Sequence, residues 1–345
     1  MTKDGTHGWS LKPTVGLLDI LIQMESKGIY MNKVFIEEYV QINGIEQYFL
    51  HMPCDRCDSN DVVIMLHGGP GLANSYLAYF QKPYCDFCNV VYYDQRGAGK
   101  TQIRNRSEAK SLSFELIMED MRQTVAYIKK KYDKHRIFLA GHSWGSMLGT
   151  QYILTHPNNV DGYIGYGQGV PGGNQDRHYY EFVKTSVLKS RNAEHIATIN
   201  QVSDNFPNIP REDYFRQYTI VAGLGFGCGY DFTARDVFEI YSKSPTWTQE
   251  DEQLSEIVEK LNEKLYAEVL YDWYVNAVEY TVPIYYILGR HDEMTSSVIA
   301  AEYFNKIKAP KKSLYWIENA GHLVDTDNPV DFFAAVKDIL SISME

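Results

Sequence analysis

The sequence contains no uninterrupted apolar run of 18 residues, so no membrane-spanning helix is expected. Nor does it open on a basic segment followed by a long apolar stretch. Met1-Thr2-Lys3-Asp4-Gly5 comes first, and the apolar segment Val15–Ile22 is short and broken by Asp19. No signal peptide is expected, and the expected location is cytoplasmic. Basic charge is also in deficit. With 33 basic and 44 acidic side chains, the net charge is −11, which argues against nucleic-acid and anionic-membrane partners. The longest basic run, Lys129-Lys130-Lys131, ends an expected helix, where cations complement the helix dipole. Repeats and low-complexity linkers are missing. Hydrophobic content of 44% with 22% charge excludes global disorder, collagen and a coiled coil. Cysteine is scarce at five, and 345 residues can build a core without disulfides. Tyrosine, by contrast, is plentiful at 27 residues, which admits either compositional bias or an aromatic-lined pocket.

Residues 15–28 read as a short amphipathic helix, with Leu17, Leu18, Leu21 and Met24 on one side. It would dock on the main domain or serve an oligomer contact. Val34–Val40 and Ile45–Met52 read as strands joined by the hairpin turn Asn43-Gly44. Strand patterns then recur at Val62–Leu66, Val90–Tyr93, Arg136–Ala140, Val160–Gly165, Val282–Leu288 and Leu314–Ile317. Between them lie helical patterns at Ser75–Gln81, Ser113–Tyr132, Trp144–Thr155, Ser297–Ile307 and Val330–Leu340. This alternation predicts an α/β fold, a mostly parallel sheet with helices on both faces. More than 100 residues separate the strand near 165 from the one at 282. A crossover needs only about a dozen. The excess, residues 171–275, predicts an inserted helical cap over the carboxyl edge of the sheet, where open α/β sheets bind ligands. The expected division is an N-terminal extension at 1–29, a core at 30–170 and 276–345, and the cap.

Gly141-His142-Ser143-Trp144-Gly145 follows an expected strand and opens an expected helix. Glycines there permit a sharp turn that exposes the serine hydroxyl, and the helix N-terminus favours a developing oxyanion. A nucleophilic serine needs a base, and the base needs an orienting acid. Asp292, in Leu288-Gly289-Arg290-His291-Asp292, follows one strand, and His322, in Ala320-Gly321-His322, follows the last. Ser143 is the expected nucleophile, His322 the general base and then acid, and Asp292 the group that fixes the imidazole tautomer. His291 and Glu293 compete for these roles; Asp325 and Asp327 lie too close in sequence to His322 to be favoured. The expected oxyanion donors are the N–H groups of Trp144 and Gly69, with Gly68 in reserve. His67 is expected to organise that loop.

Together, His67-Gly68-Gly69-Pro70-Gly71, Asp94-Gln95-Arg96-Gly97-Ala98-Gly99 and Gly141-His142-Ser143-Trp144-Gly145-Ser146 resemble the prolyl iminopeptidase branch of the α/β-hydrolases, in that family's order. The resemblance covers roughly residues 30–170 and 280–340. It implies an α/β-hydrolase core, a helical cap, no cofactor for catalysis, and hydrolysis of small acyl substrates, often short peptides that lose an N-terminal proline or other residue. It also implies that Arg96 ties neighbouring loops together. Aminopeptidases of this type bind the substrate amine with cap carboxylates; Glu181, Glu212, Asp213, Asp231, Glu239 and Asp272 are all candidates. His142 departs from the glycine that many members carry, and esterases often have histidine there. A small-ester carboxylesterase or lactonase is therefore the alternative, and a receptor-like ligand-binding protein a second one. Oligomeric state stays open.

Two C-x-x-C pairs, Cys54/Cys57 and Cys85/Cys88, flank strands expected to be neighbours. Four converging thiolates would make a structural zinc site, remote from the catalytic edge. Free or redox-active thiols and disulfides are the other readings. Cys228, in the expected cap, reads as an ordinary thiol.

Overall fold

The computed structural model describes residues 35–343, except 55–58, 107–111, 207, 211, 214–215, 218–219, 222–228, 231–233, 255–264, 266–275 and 277. The expected helix at 15–28 and the N-terminal extension lie outside the described residues.

Among the described residues, eight strands form one sheet in the order β1-β2-β4-β3-β5-β6-β7-β8. β1 (Ile36–Ile42) and β2 (Ile45–Met52) pair antiparallel. Their turn is Asn43-Gly44, with φ of 46° and 84°. Both central residues of a type I′ hairpin turn need positive φ, which Asn and Gly tolerate best. β2 runs antiparallel to β4 (Asn89–Tyr93). The remaining neighbours are parallel: β3 (Asp61–Leu66), β5 (Arg136–Ser143), β6 (Gly162–Gln168), β7 (Ile284–Gly289) and β8 (Lys312–Ile317).

β3 is buried along its whole length, as its unbroken apolar run requires. Its side chains alternate between two layers. Val62, Ile64 and Leu66 join Ile117, Met121 and Val125 of helix α1 (Phe114–Lys131). Val63 and Met65 join the opposite layer, with Phe332, Val336 and Ile339 of the C-terminal helix (Pro329–Ile342). Each such side chain, once buried, stabilises the fold by roughly 1.5–3 kcal/mol. Most of the largest fully buried side chains are tyrosines, among them Tyr48, Tyr92, Tyr163, Tyr166 and Tyr286. These are core side chains of the two layers, not an aromatic pocket.

Three elements differ from expectation. β5 continues through His142 to Ser143, because those residues keep pairing with β6 until the register shifts between them. The segment expected as a helix at Ser75–Gln81 is a 3₁₀ helix, Asn74–Phe80, with no side-chain N-cap and no acidic first turn. Short connectors of this kind take the tighter helix readily.

The third difference concerns the cysteines. The end of β2 does meet the start of β4, since Met52 pairs with Val90 and Cys54 N–H donates to Asn89 Oδ1 at 3.0 Å. Cys54, however, is disulfide-bonded, so its sulfur is no thiolate ligand. Cys85 and Cys88 are buried, and burial holds the Cys88 thiol well above its ordinary pKa, in the neutral form. Cys57 and Cys228 lie outside the described residues. Among the described residues no group of three or more His, Cys, Asp or Glu is placed to hold a metal. The expected zinc site on Cys54, Cys57, Cys85 and Cys88 is corrected accordingly.

In the interval expected as a cap, the described helices include Gly173–Ser190 and Ala193–Ile199. With Val202, Ile220 and Val221 they bury Val183, Val187 and Ile199 in a cluster of their own. Among the described residues no helix is long and apolar enough to cross a membrane.

Candidate active site

Ser143 sits at the carboxyl end of β5, immediately before helix Trp144–Thr155, with φ 52° and ψ −118°. A non-glycine residue at positive φ stores about 1–3 kcal/mol of strain. The neighbouring glycines make room for it. A Cβ on Gly145 would stand 2.0 Å from the Leu66 carbonyl oxygen, and one on Gly141 2.5 Å from that of Gly145. The turn is held from behind by Ser146. Its hydroxyl donates to the Ser143 carbonyl at 2.5 Å and accepts from Gly169 N–H at 2.9 Å.

The glycine loop after β3 lies against this turn. A Cβ on Gly68 would be 3.0 Å from His142 Nδ1 and 3.2 Å from Ser143 Cβ, so the loop packs tightly against the turn. Gly69, whose N–H follows directly, has φ of 110°. Buried His67 holds the loop in place. Its Nδ1–H donates to Gly68 O at 2.9 Å, and its Nε2 accepts from Gln95 N–H at 3.0 Å. Burial pushes this imidazole down to about 4, which keeps it neutral. Gln95 returns a bond from Nε2 to His67 O at 3.2 Å and accepts from Trp144 Nε1 at 3.1 Å. The helix that follows Ser143 is thus tied to the glycine loop through one glutamine. Arg96, next in the chain, binds both carboxylate oxygens of Asp120 at 2.7 and 2.9 Å and donates to Asn43 O at 2.9 Å. It ties the loop to α1 and to the β1–β2 turn.

Asp292 and His322 follow β7 and β8, and folding brings them together. Asp292 Oδ2 is 3.0 Å from His322 Nδ1, with both side chains buried. Asp292 Oδ1 accepts from the N–H groups of Met294 and Thr295, both at 3.0 Å. Thr295 Oγ1 donates to Asp292 Oδ2 at 3.0 Å and lies 3.1 Å from His322 Nδ1. The carboxylate is therefore fixed by three protein donors and faces the imidazole.

The competitors point elsewhere. Glu293 pairs with His178 at 2.7 Å, and the His291 ring packs on Tyr230 at 4.6 Å. Buried Asp325 accepts from Gln81 Nε2 at 2.6 Å; burial pushes it up to about 6. Asp327 accepts from Gly321 N–H at 2.7 Å and braces the backbone just before His322.

The interval between β6 and β7 reaches the site from two sides. Gln175 Nε2 donates to Met294 O at 3.2 Å beside the His178–Glu293 pair, so helix Gly173–Ser190 touches the Asp292 loop. Helix Ala234–Ser242 packs through Ile240 and Tyr241 on Ala73, Tyr76 and Leu77, just past the glycine loop. Asp251 accepts from Lys100 Nζ at 2.6 Å and from the Tyr76 hydroxyl. Of the acids expected to hold an amine, Glu181, Glu212 and Glu239 are exposed. Asp213 is buried and bound to Arg216 at 2.6 Å. Asp231 and Asp272 lie outside the described residues.

Thr295 and Gln95 escaped the sequence reading. The three-residue spacing from Asp292 to Thr295 was the only local signal for the first. Gln95 lies inside the Asp94–Gly99 motif, where the resemblance implies a role for Arg96 alone.

A sequence model of the family described as the alpha/beta hydrolase fold matches residues 61–329. The chain is 23% identical over 302 residues to a probable aminopeptidase, YbaC, of Bacillus subtilis, covering 85% of this chain and 89% of that one. It is 23% identical over 318 residues to a proline iminopeptidase of Heyndrickxia coagulans, with coverage of 89% and 99%. Its fold is similar to that of the proline iminopeptidase of Mycobacterium smegmatis, with a TM-score of 0.65, 17% identity and coverage of 89% and 98%. It is also similar to an esterase from Exiguobacterium antarcticum, with a TM-score of 0.58, 18% identity and coverage of 89% and 100%. At such identities the structural likeness speaks for the fold alone. The family match spans most of the chain, and with the strand order and the glycine-framed turn at Ser143 it establishes that this chain belongs to the α/β-hydrolase fold family.

Proposed function

We propose that this protein is a serine hydrolase that removes N-terminal residues, proline among them, from short peptides. The observation that carries the reading is the buried Asp292–His322 pair at the same sheet edge as the strained Ser143. Ser143 Oγ attacks the substrate carbonyl carbon, and His322 Nε2 takes the hydroxyl proton. Asp292 holds Nδ1–H and stabilises the imidazolium that forms. The carbonyl electrons move onto oxygen, where the N–H groups of Trp144 and Gly69 receive the negative charge. His322 then gives its proton to the leaving amine, and water, activated by the same imidazole, releases the acid. No metal or cofactor enters this sequence.

Residues 171–275 act as a cap in this reading, since two of their helices contact the Asp292 loop and the residues after the glycine loop. The aminopeptidase assignment draws on the names of relatives aligned along most of both chains. An esterase is the second reading, favoured by His142 and by the four described candidate acids, Glu181, Glu212, Asp213 and Glu239, which are exposed or already paired.

A fluorophosphonate probe tests the chemistry. Wild type is expected to label and Ser143→Ala not to. Equal labelling of the two proteins, or none of wild type, would remove the serine-hydrolase reading and leave the receptor-like one. Rates on proline, alanine and leucine arylamides against short-chain aryl esters then decide the substrate. Amide turnover no faster than Ser143→Ala would leave the esterase.

A further inference from the structure

His142 is a titratable group at the heart of the site that the proposed mechanism does not use. Its Nε2 lies 2.9 Å from the backbone carbonyl oxygen of His322. A carbonyl only accepts, so Nε2 carries the proton and donates it. One face of the ring stacks on Tyr166, with centroids 4.9 Å apart. The His322 ring lies 4.8 Å away. On its other edge, Nδ1 is 3.0 Å from where a Cβ on Gly68 would stand, and a Cβ on Gly167 would stand equally close to Cδ2 and Nε2 of the ring. A single imidazole therefore touches the glycine loop, the end of β6 and the backbone of His322, while its own peptide unit leads into Ser143.

We propose that His142 is a positioning residue, which sets the position of His322 relative to Ser143 through the hydrogen bond to the His322 carbonyl. The inference rests on the reading of Ser143 and His322 as the reacting pair. No residue carries the nucleophile's backbone and the base's backbone at once unless it sits beside one and bonds to the other, and His142 does both. The ionisable groups around the ring are His322, Asp292, His67 and Tyr166. Burial first, and the adjoining His322 second, push His142 down to about 3, so the ring stays neutral while the site works.

Removing the donor leaves the His322 carbonyl unpartnered and lets that loop drift from Asp292. A looser bond to Asp292 stabilises the imidazolium that forms in the reaction less. Three substitutions separate the hydrogen bond from the packing. His142→Phe keeps a ring against Tyr166 and has no donor. His142→Gln offers an amide N–H that reaches the carbonyl. His142→Asn is polar but too short, and replaces the Phe variant should that one fail to fold.

The measurements are kcat and KM across pH on the best substrate, with fluorophosphonate labelling rates alongside. For the Phe and Asn variants, kcat should fall on the order of 10- to 100-fold with KM little changed. The acid limb of their kcat profile should move to lower pH by roughly half a unit. His142→Gln should stay within about threefold of wild type. A Phe variant with wild-type kcat and an unmoved limb would overturn the proposal. So would a Gln variant as slow as Phe, which would assign the loss to packing. Failure of wild type to label with the phosphonate would instead strike at the hydrolase reading itself, which keeps the two outcomes distinct.

Discussion

At the scale of single residues, the site is organised by groups that do no chemistry. Thr295 is the plainest case, because its hydroxyl touches both Asp292 Oδ2 and His322 Nδ1. Thr295→Val keeps the shape and removes that bond. It should lower kcat about tenfold while thermal stability barely changes, as steady-state kinetics beside a melting curve would show. Asp292→Asn should cost on the order of 10⁴ in kcat, since the amide favours the wrong imidazole tautomer. A loss under tenfold would reassign the orienting role.

Buried Asp94 makes a different prediction. Burial pushes it up from 3.8 to about 7. The folded state then holds the proton more tightly than the unfolded chain. That advantage is complete below the unfolded pKa and is lost as pH rises through about 7. Asp94→Asn should therefore compare best with wild type near pH 8 and worst near pH 4. The difference should be about 4 kcal/mol in denaturant unfolding. A gap that does not vary with pH would contradict the burial argument. His67 acts in the opposite sense. Held down to about 4 from 6.5, it destabilises the fold as pH falls through that window.

At the scale of elements, joints between segments matter more than helix propensity. Helix α1 shows propensity at work: Ser113 Oγ accepts from Leu116 N–H at 3.2 Å, and three lysines fill its last turn. Both were legible because capping is local. The joint between Lys100 and Asp251 was not, because 151 residues separate them in the chain. This pair is buried, with side chains 11% and 2% exposed. Asp251→Ala should destabilise the protein by about 3–5 kcal/mol, because it strands a buried ammonium. Replacing both residues by apolar ones should recover most of that loss. Urea unfolding of the two variants checks it, and equal losses in both would mean that the packing, not the stranded charge, is at issue.

At the scale of the whole molecule, sheet order decides what meets. Parallel β5, β7 and β8 deliver Ser143, Asp292 and His322 to a common edge from positions up to 179 residues apart. The same order brought the end of β2 to the start of β4, as the α/β-hydrolase strand order implies. Spacing says nothing of the oxidation state of a sulfur, and the disulfide at Cys54 removes one ligand from the set. Elemental analysis of protein purified without added metal should find zinc far below stoichiometry; about one zinc per chain would reverse that correction.

The sequence by itself determined the strand and helix alternation, the Asn43-Gly44 turn, the strained context of Ser143 and the chain order of the three proposed catalytic residues. Each of these depends on local backbone preference or on side-chain periodicity, which neighbouring residues encode. Tertiary structure alone decided which carboxylate faces His322, that Thr295 and Gln95 brace the site, that His142 bonds to the His322 carbonyl, and how the cysteines divide. Those are contacts between segments far apart in the chain, and their energies depend on distance and burial, which exist only once the sheet has closed its order.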